Sequence, residues 1–122
     1  MARLPGLILT LMLIIGATGL LAAPATAVDS PALERGEQIF NSNCAACHMG
    51  GGNVIRANRT LKISDLNDHL EAYSKSPLEA LEQEIEDGLN AMPSYADTLS
   101  EEEIVAVATY VEQRAELGWS RR

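Results

Sequence analysis

Two cysteines and a histidine within five residues, Cys44-Ala45-Ala46-Cys47-His48, constrain this chain more than any other stretch. On one helical turn the two thiols share a side, and a histidine directly after the second falls beneath whatever the thiols hold. Thiols at this spacing can each add across a vinyl group of a haem, and the imidazole of His48 then becomes the proximal ligand of its iron. A bare C-x-x-C would equally suit a thioredoxin-like redox centre, half a zinc site or a short disulfide. The adjacent histidine, with no βαβ pattern around the motif, selects covalent attachment of a c-type haem through Cys44 and Cys47.

The 122-residue chain opens with a stretch that does not belong to the fold. Arg3 forms a positive n-region, Leu7 to Ala23 an apolar h-region, and Ala25-Thr26-Ala27 an A-x-A site, which together predict a signal peptide over 1–27 cleaved after Ala27. The competing reading is an uncleaved anchor, because the apolar run with its flanks is nearly long enough to span a bilayer. Pro24 and the small residues behind it favour cleavage, after which no stable membrane insertion is expected. Residues 28–122 then form a single small domain whose apolar core is modest, and a covalent haem would supply a large body to pack around. Both cysteines are committed to that group, so no disulfide remains.

Formal net charge is −8, and loss of Arg3 with the leader makes it one unit more negative. Such acidity argues against nucleic acid and anionic lipid as partners and suits docking partners with a positive face. Plain solubility accounts for it equally well.

Helix signals recur along the domain, and sustained strand alternation is absent. Ser30-Pro31 starts a helix to about Asn41, with Leu33, Gly36, Ile39 and Phe40 on one face. Gly36 in its middle costs roughly 1 kcal/mol against alanine, which suggests that another helix backbone crosses closely there, the alternative being a tolerated glycine on the surface. Met49 to Asn53 reads as a glycine-rich loop. Ser64-Asp65 opens a short helix to about Tyr73, with Leu66, Leu70 and Tyr73 on one side. Ser76-Pro77-Leu78-Glu79 reads as a capping box, followed by a stripe of Leu78, Leu81 and Ile85 and a C-terminal Gly88. Leu99-Ser100-Glu101-Glu102-Glu103-Ile104 marks the last helix, which is expected to bury Ile104, Val107, Ala108, Tyr110 and Val111 and ends at Gly118. Tyr110 is placed to close over Gly36 and Phe40, and Trp119 to pack near the end. The prediction is an all-α domain of about four helices around one haem.

Asn90-Ala91-Met92-Pro93 carries the second functional expectation. A methionine on a loop after a helix, with a rigid proline behind it, can offer its thioether to the open face of the iron, although methionine is more often core filling. Met49 cannot do this, because it adjoins His48 and cannot reach the opposite face. The expected metal ligands are therefore His48 and Met92. His69 is the only other histidine, and reads as a surface or half-buried residue without iron. Arg56, Arg59 and Lys62 could neutralise haem propionates, with the forked guanidinium of Arg59 best suited, or could be ordinary solvated charges.

Several stretches together identify a family resemblance. Gly36-Glu37-Gln38-Ile39-Phe40, Asn43 to His48, Asn53-Val54-Ile55, Arg59-Thr60-Leu61-Lys62, Asn90-Ala91-Met92-Pro93 and Glu116-Leu117-Gly118-Trp119 resemble cytochrome c6, a small class I c-type cytochrome. The resemblance implies a soluble carrier in the thylakoid lumen, the periplasm being the alternative. It also implies transfer of electrons from the cytochrome b6f complex to photosystem I, or to a cytochrome oxidase. Two positions depart from the family pattern, with Glu84 where many members have glutamine and Thr98 where many have arginine. The segment from Asp65 to Pro77 is also a few residues longer than in typical members.

The expected function is thus a one-electron shuttle, not an enzyme, with no catalytic residues. The alternative is a membrane-anchored or complex-bound haem c subunit with a stationary or structural role, such as the extrinsic cytochrome of photosystem II, which uses two histidine ligands. A haem enzyme such as a peroxidase would need an open distal site instead.

Overall fold

The computed structural model describes residues 31–120; the expected leader and its cleavage after Ala27 lie outside them. Among the described residues there are helices and no strand: α1 (Pro31–Asn43), α2 (Ala45–His48), α3 (Ile63–His69), α4 (Pro77–Asp87) and α5 (Glu101–Glu116), with a 3₁₀ turn over Met49–Gly51. The all-α expectation holds. The cysteine-histidine motif lies on one short turn, with Cys44 directly before α2 and Cys47 and His48 within it.

Helix α1 buries Leu33, Gly36, Ile39 and Phe40, the face that its three- and four-residue spacing defines. That face lies on α5, which buries Ile104, Ala106, Val107, Ala108, Val111 and Ala115. Where the two cross, a Cβ on Gly36 would stand 2.2 Å from the Ala106 carbonyl oxygen and 2.8 Å from the Tyr110 Cβ. Only a residue without a side chain permits this approach. Phe40 then meets Tyr110 at 5.4 Å and Trp119 at 5.3 Å between ring centroids, and Tyr110 and Trp119 meet edge-on at 6.4 Å. Such tilted pairs suit the ring quadrupoles. The Trp119 indole N–H donates to the Leu61 carbonyl at 2.8 Å, and its ring occupies the space that a Cβ on Gly51 would need.

At the start of α5 the full capping box forms: the Glu103 N–H donates to Ser100 Oγ, and the Ser100 N–H donates to the Glu103 carboxylate. Arg35 of α1 pairs with the same Glu103, tying this helix start to its neighbour. The helix ends at Glu116, slightly before the expected Gly118, which adopts the left-handed φ of 66° that reverses the chain.

Three local expectations are corrected. The Ser76 side chain makes no capping hydrogen bond, and the reciprocal half of the box is lost as well, because the Ser76 N–H is already taken by the Ala72 carbonyl at 3.0 Å and leaves Glu79 no orphan donor to reach. Pro77 at the first position starts α4 without help from that serine. Helix α3 runs from Ile63 and stops at His69, where Leu70 turns extended; the turn that follows carries Tyr73 inward. There the Tyr73 hydroxyl donates to Glu112 at 2.6 Å, so a residue expected on a helix anchors a turn to α5 instead. On α4, Leu78 is exposed and Ala80 is buried in its place beside Leu81 and Ile85.

The crossing at Gly36 yields a direct test. Gly36→Ala should lower the stability of the protein by about 1–3 kcal/mol in urea unfolding, because overpacking outweighs the improved helix propensity.

Candidate functional site

Short helix α2 is set by the end of α1. The Cys44 N–H still donates to the Phe40 carbonyl at 2.8 Å, and the Cys44 carbonyl accepts from both Cys47 and His48, at 3.1 and 2.9 Å. This single turn places both thiols and the imidazole on one cavity wall. Burial, then the neighbouring Cys47, pushes the Cys44 thiol up to about 11.

His48 is oriented by the loop that follows. Its Nδ1 lies 2.8 Å from the Gly52 carbonyl oxygen, which can only accept, so Nδ1 carries the proton and Nε2 keeps a free lone pair. The loop is itself organised by Asn53, whose Oδ1 accepts from Ile55 at 3.0 Å and Arg56 at 2.8 Å while its Nδ2 donates to the Arg59 carbonyl at 2.9 Å. Arg56 and Arg59 thereby line the cavity, and Lys62 does not.

Met92 reaches the same cavity from α4. Leu89 and Met92 exchange two backbone hydrogen bonds of 3.0 Å across a turn in which Asn90 adopts a φ of 54°. Gly88, expected only as a helix end, has a second role: a Cβ there would lie 2.6 Å from the backbone of Met92, Pro93 and Ser94. Beyond the turn, the Tyr95 N–H donates to the Ile85 carbonyl at 3.0 Å, and its hydroxyl donates to the Asn43 carbonyl at 3.0 Å. Tyr95 thus joins the methionine loop to the end of α1, beside the cysteines.

The cavity, about 270 Å³, is walled on its inner side by Phe40, Leu66, Leu81, Ile85, Val107 and Val111. Cys44, Cys47, His48 and Met92, the four site residues expected from sequence, all line it, and His69 does too. Met49 is 77% exposed and is not among the lining residues. Two adjacent thiols, an imidazole with a free nitrogen, a thioether and an apolar wall form a donor set that fits a covalently held haem. Sequence reasoning missed Tyr95 and the orienting Gly52 carbonyl. A tyrosine three residues after the methionine was a visible signal; a carbonyl has none.

Two carboxylates share the wall and differ in their surroundings. Asp65 Oδ2 accepts from the Thr60 hydroxyl at 2.7 Å and the Thr60 N–H at 3.0 Å, and these bonds hold its carboxyl below the ordinary value. Burial raises that of Glu84, opposed by the charge of Arg59 and assisted by that of Asp87.

The depressed Asp65 carboxyl contributes stability that is present above the ordinary carboxylate range and lost as pH falls through its folded value. Asp65→Asn should therefore lower the urea midpoint at neutral pH, with the difference from the parent closing as the solution is acidified.

A family profile described as cytochrome c oxidase, cbb3-type, subunit III matches residues 31–111. The cytochrome c6 of Parathermosynechococcus lividus is 44% identical over 88 residues, which cover 72% of this chain and 97% of that protein. The chloroplastic cytochrome c6 of Chlamydomonas reinhardtii is 43% identical over 112 residues, covering 91% and 74%. Among solved structures, cytochrome c6 from the diatom Phaeodactylum tricornutum superposes with a TM-score of 0.67 at 45% identity, covering 71% of this chain and 98% of that one.

Proposed function

The chain belongs to the cytochrome c6 family, whose members carry one covalent haem c, and on that premise we propose that it is a one-electron carrier and not an enzyme. The observation that carries this reading is the convergence of Cys44, Cys47, His48 and Met92 on one apolar cavity. When bound there, the haem supplies a reversible one-electron iron couple. Cys44 and Cys47 would hold it through their thiols, and His48 through Nε2 and Met92 through its sulfur would be the residues offered to its iron. Such a His/Met pair raises the reduction potential and closes the iron to outside ligands, which suits transfer over oxygen chemistry. The Gly52 carbonyl fixes the imidazole, and the Leu89–Met92 turn fixes the thioether.

Within this reading the protein takes an electron from the cytochrome b6f complex and delivers it to photosystem I, with a terminal oxidase as a second acceptor. Its place is the thylakoid lumen, or the periplasm as the alternative; the name of the chloroplastic Chlamydomonas relative supports the first. The departure at Thr98 falls on an exposed residue, so that position offers a partner no positive charge. A second reading, a haem c subunit held in a larger complex, draws on the oxidase subunit for which the matching profile is named. No helix among the described residues is long and apolar enough to cross a membrane.

Two measurements test the proposal. In the oxidised holoprotein the sulfur-to-iron charge-transfer band should vanish in Met92→Ala and persist in His69→Ala; the reverse would overturn the ligand assignment. Electron transfer to photosystem I should be fast and should change with ionic strength as the acidic surface is screened. Slow reaction at every salt concentration, with a potential far below that of the donor complex, would remove the shuttle role.

A further inference from the structure

Glu84 stands between two spaces. It lines the inner cavity with Met92 and His48, and it also lines an outer groove with His69, Lys75, Gln83 and Asp87. The other carboxylate of the inner wall, Asp65, has both of its oxygens engaged by Thr60 and Ser64. Glu84 is half-buried, and its carboxylate has no hydrogen bond or ion pair among the described residues. One wall carboxylate is therefore held ionised by donors, and the other is left to respond to the charge of the cavity.

From this geometry we infer that Glu84 is a redox-linked proton site: its carboxylate takes up a proton from the outer groove as the haem gains an electron and releases it as the electron leaves. This rests on the carrier reading above. The balance is simple: one electron arrives from the donor protein, one proton arrives from solvent, and the Glu84 carboxylate becomes a carboxylic acid. Adding a negative charge to a low-dielectric cavity disfavours a second one nearby, so the proton affinity of Glu84 is higher in the reduced protein. Linkage requires the reciprocal effect, in which protonation favours the electron. The raised value of the Glu84 carboxyl brings this exchange toward the working range of pH.

The charges around Glu84 set where the exchange occurs. Arg59 and Arg56 lie on the loop and Asp65 and His69 on α3, all facing the inner cavity. On the groove side lie Glu71 and Lys75 of the turn after α3, and Asp87 one turn along α4. Arg59 opposes protonation and Asp87 favours it.

The test is spectroelectrochemical titration of the haem-loaded protein across acid to alkaline pH, joined to redox-difference infrared spectroscopy. The midpoint potential should fall with rising pH through one window, the plateaus differing by about tenfold in the oxidised-to-reduced equilibrium. A carboxylic acid band should appear on reduction. Glu84→Gln should remain flat through the window, stay near the acid plateau of the parent and lose the infrared band. Glu84→Asp should restore a window, Arg59→Gln should move it to higher pH, and Asp65→Asn should keep it. A window that persists in Glu84→Gln overturns the inference and assigns the proton to the haem propionates or another group. A parent that keeps the Met92 charge-transfer band but shows a flat potential overturns it as well, and leaves the carrier reading standing.

Discussion

The approach of α1 to α5 at Gly36 is the constraint on which the rest of the domain depends. With the helix backbones this close, Phe40 is pressed into the rings of Tyr110 and Trp119, and the end of α1 is held in one place. The cysteines begin directly beyond that end. A side chain at Gly36 would therefore disturb more than local packing: it would move the base from which the thiols and His48 are presented. Val107 and Val111 of the same α5 form part of the cavity wall, so one helix serves as both the partner of α1 and the back of the site.

Opposite the cysteines the chain solves a different problem, that of presenting a flexible side chain from an irregular segment. Met92 sits on a turn closed by two backbone hydrogen bonds, over a glycine that leaves room for it, and is tied down on the far side by Tyr95. Backbone groups thus do the positioning on both faces of the cavity, since His48 too is oriented by a carbonyl. An imidazole and a thioether fixed in this way by the main chain have little freedom to move.

Much of this was legible in the sequence because the relevant residues act locally. The cysteine-histidine motif, the proline after Met92 and the Ser100 to Glu103 capping box each encode their geometry within five residues, and each is found where its spacing places it. Gly36 was readable as a helix crossing because a glycine in the middle of a helix needs a reason. The misreadings occur where tertiary contacts override local preference. Ser76 has the residue pattern of a cap, but the preceding turn consumes its N–H. Tyr73 has the period of a helix, but its hydroxyl reaches Glu112, 39 positions away. Leu78 gives up its buried place to Ala80 because the α4 face that meets α5 is rotated from the one that leucine spacing suggests.

Trp119 shows how far the end of the chain reaches into the beginning of the domain. Its indole bonds to Leu61 and its ring rests on Gly51, so the loop that orients His48 is backed by a residue some seventy positions later. Arg114 lies over the same ring at 5.8 Å, adding a cation to the stack. In folding terms this is a contact of high order, formed only after the intervening chain has been gathered in and its closure entropy overcome. The indole therefore braces the Gly51 turn and the Leu61 carbonyl together, so that the last residues of the domain stiffen the loop whose Gly52 carbonyl holds the imidazole.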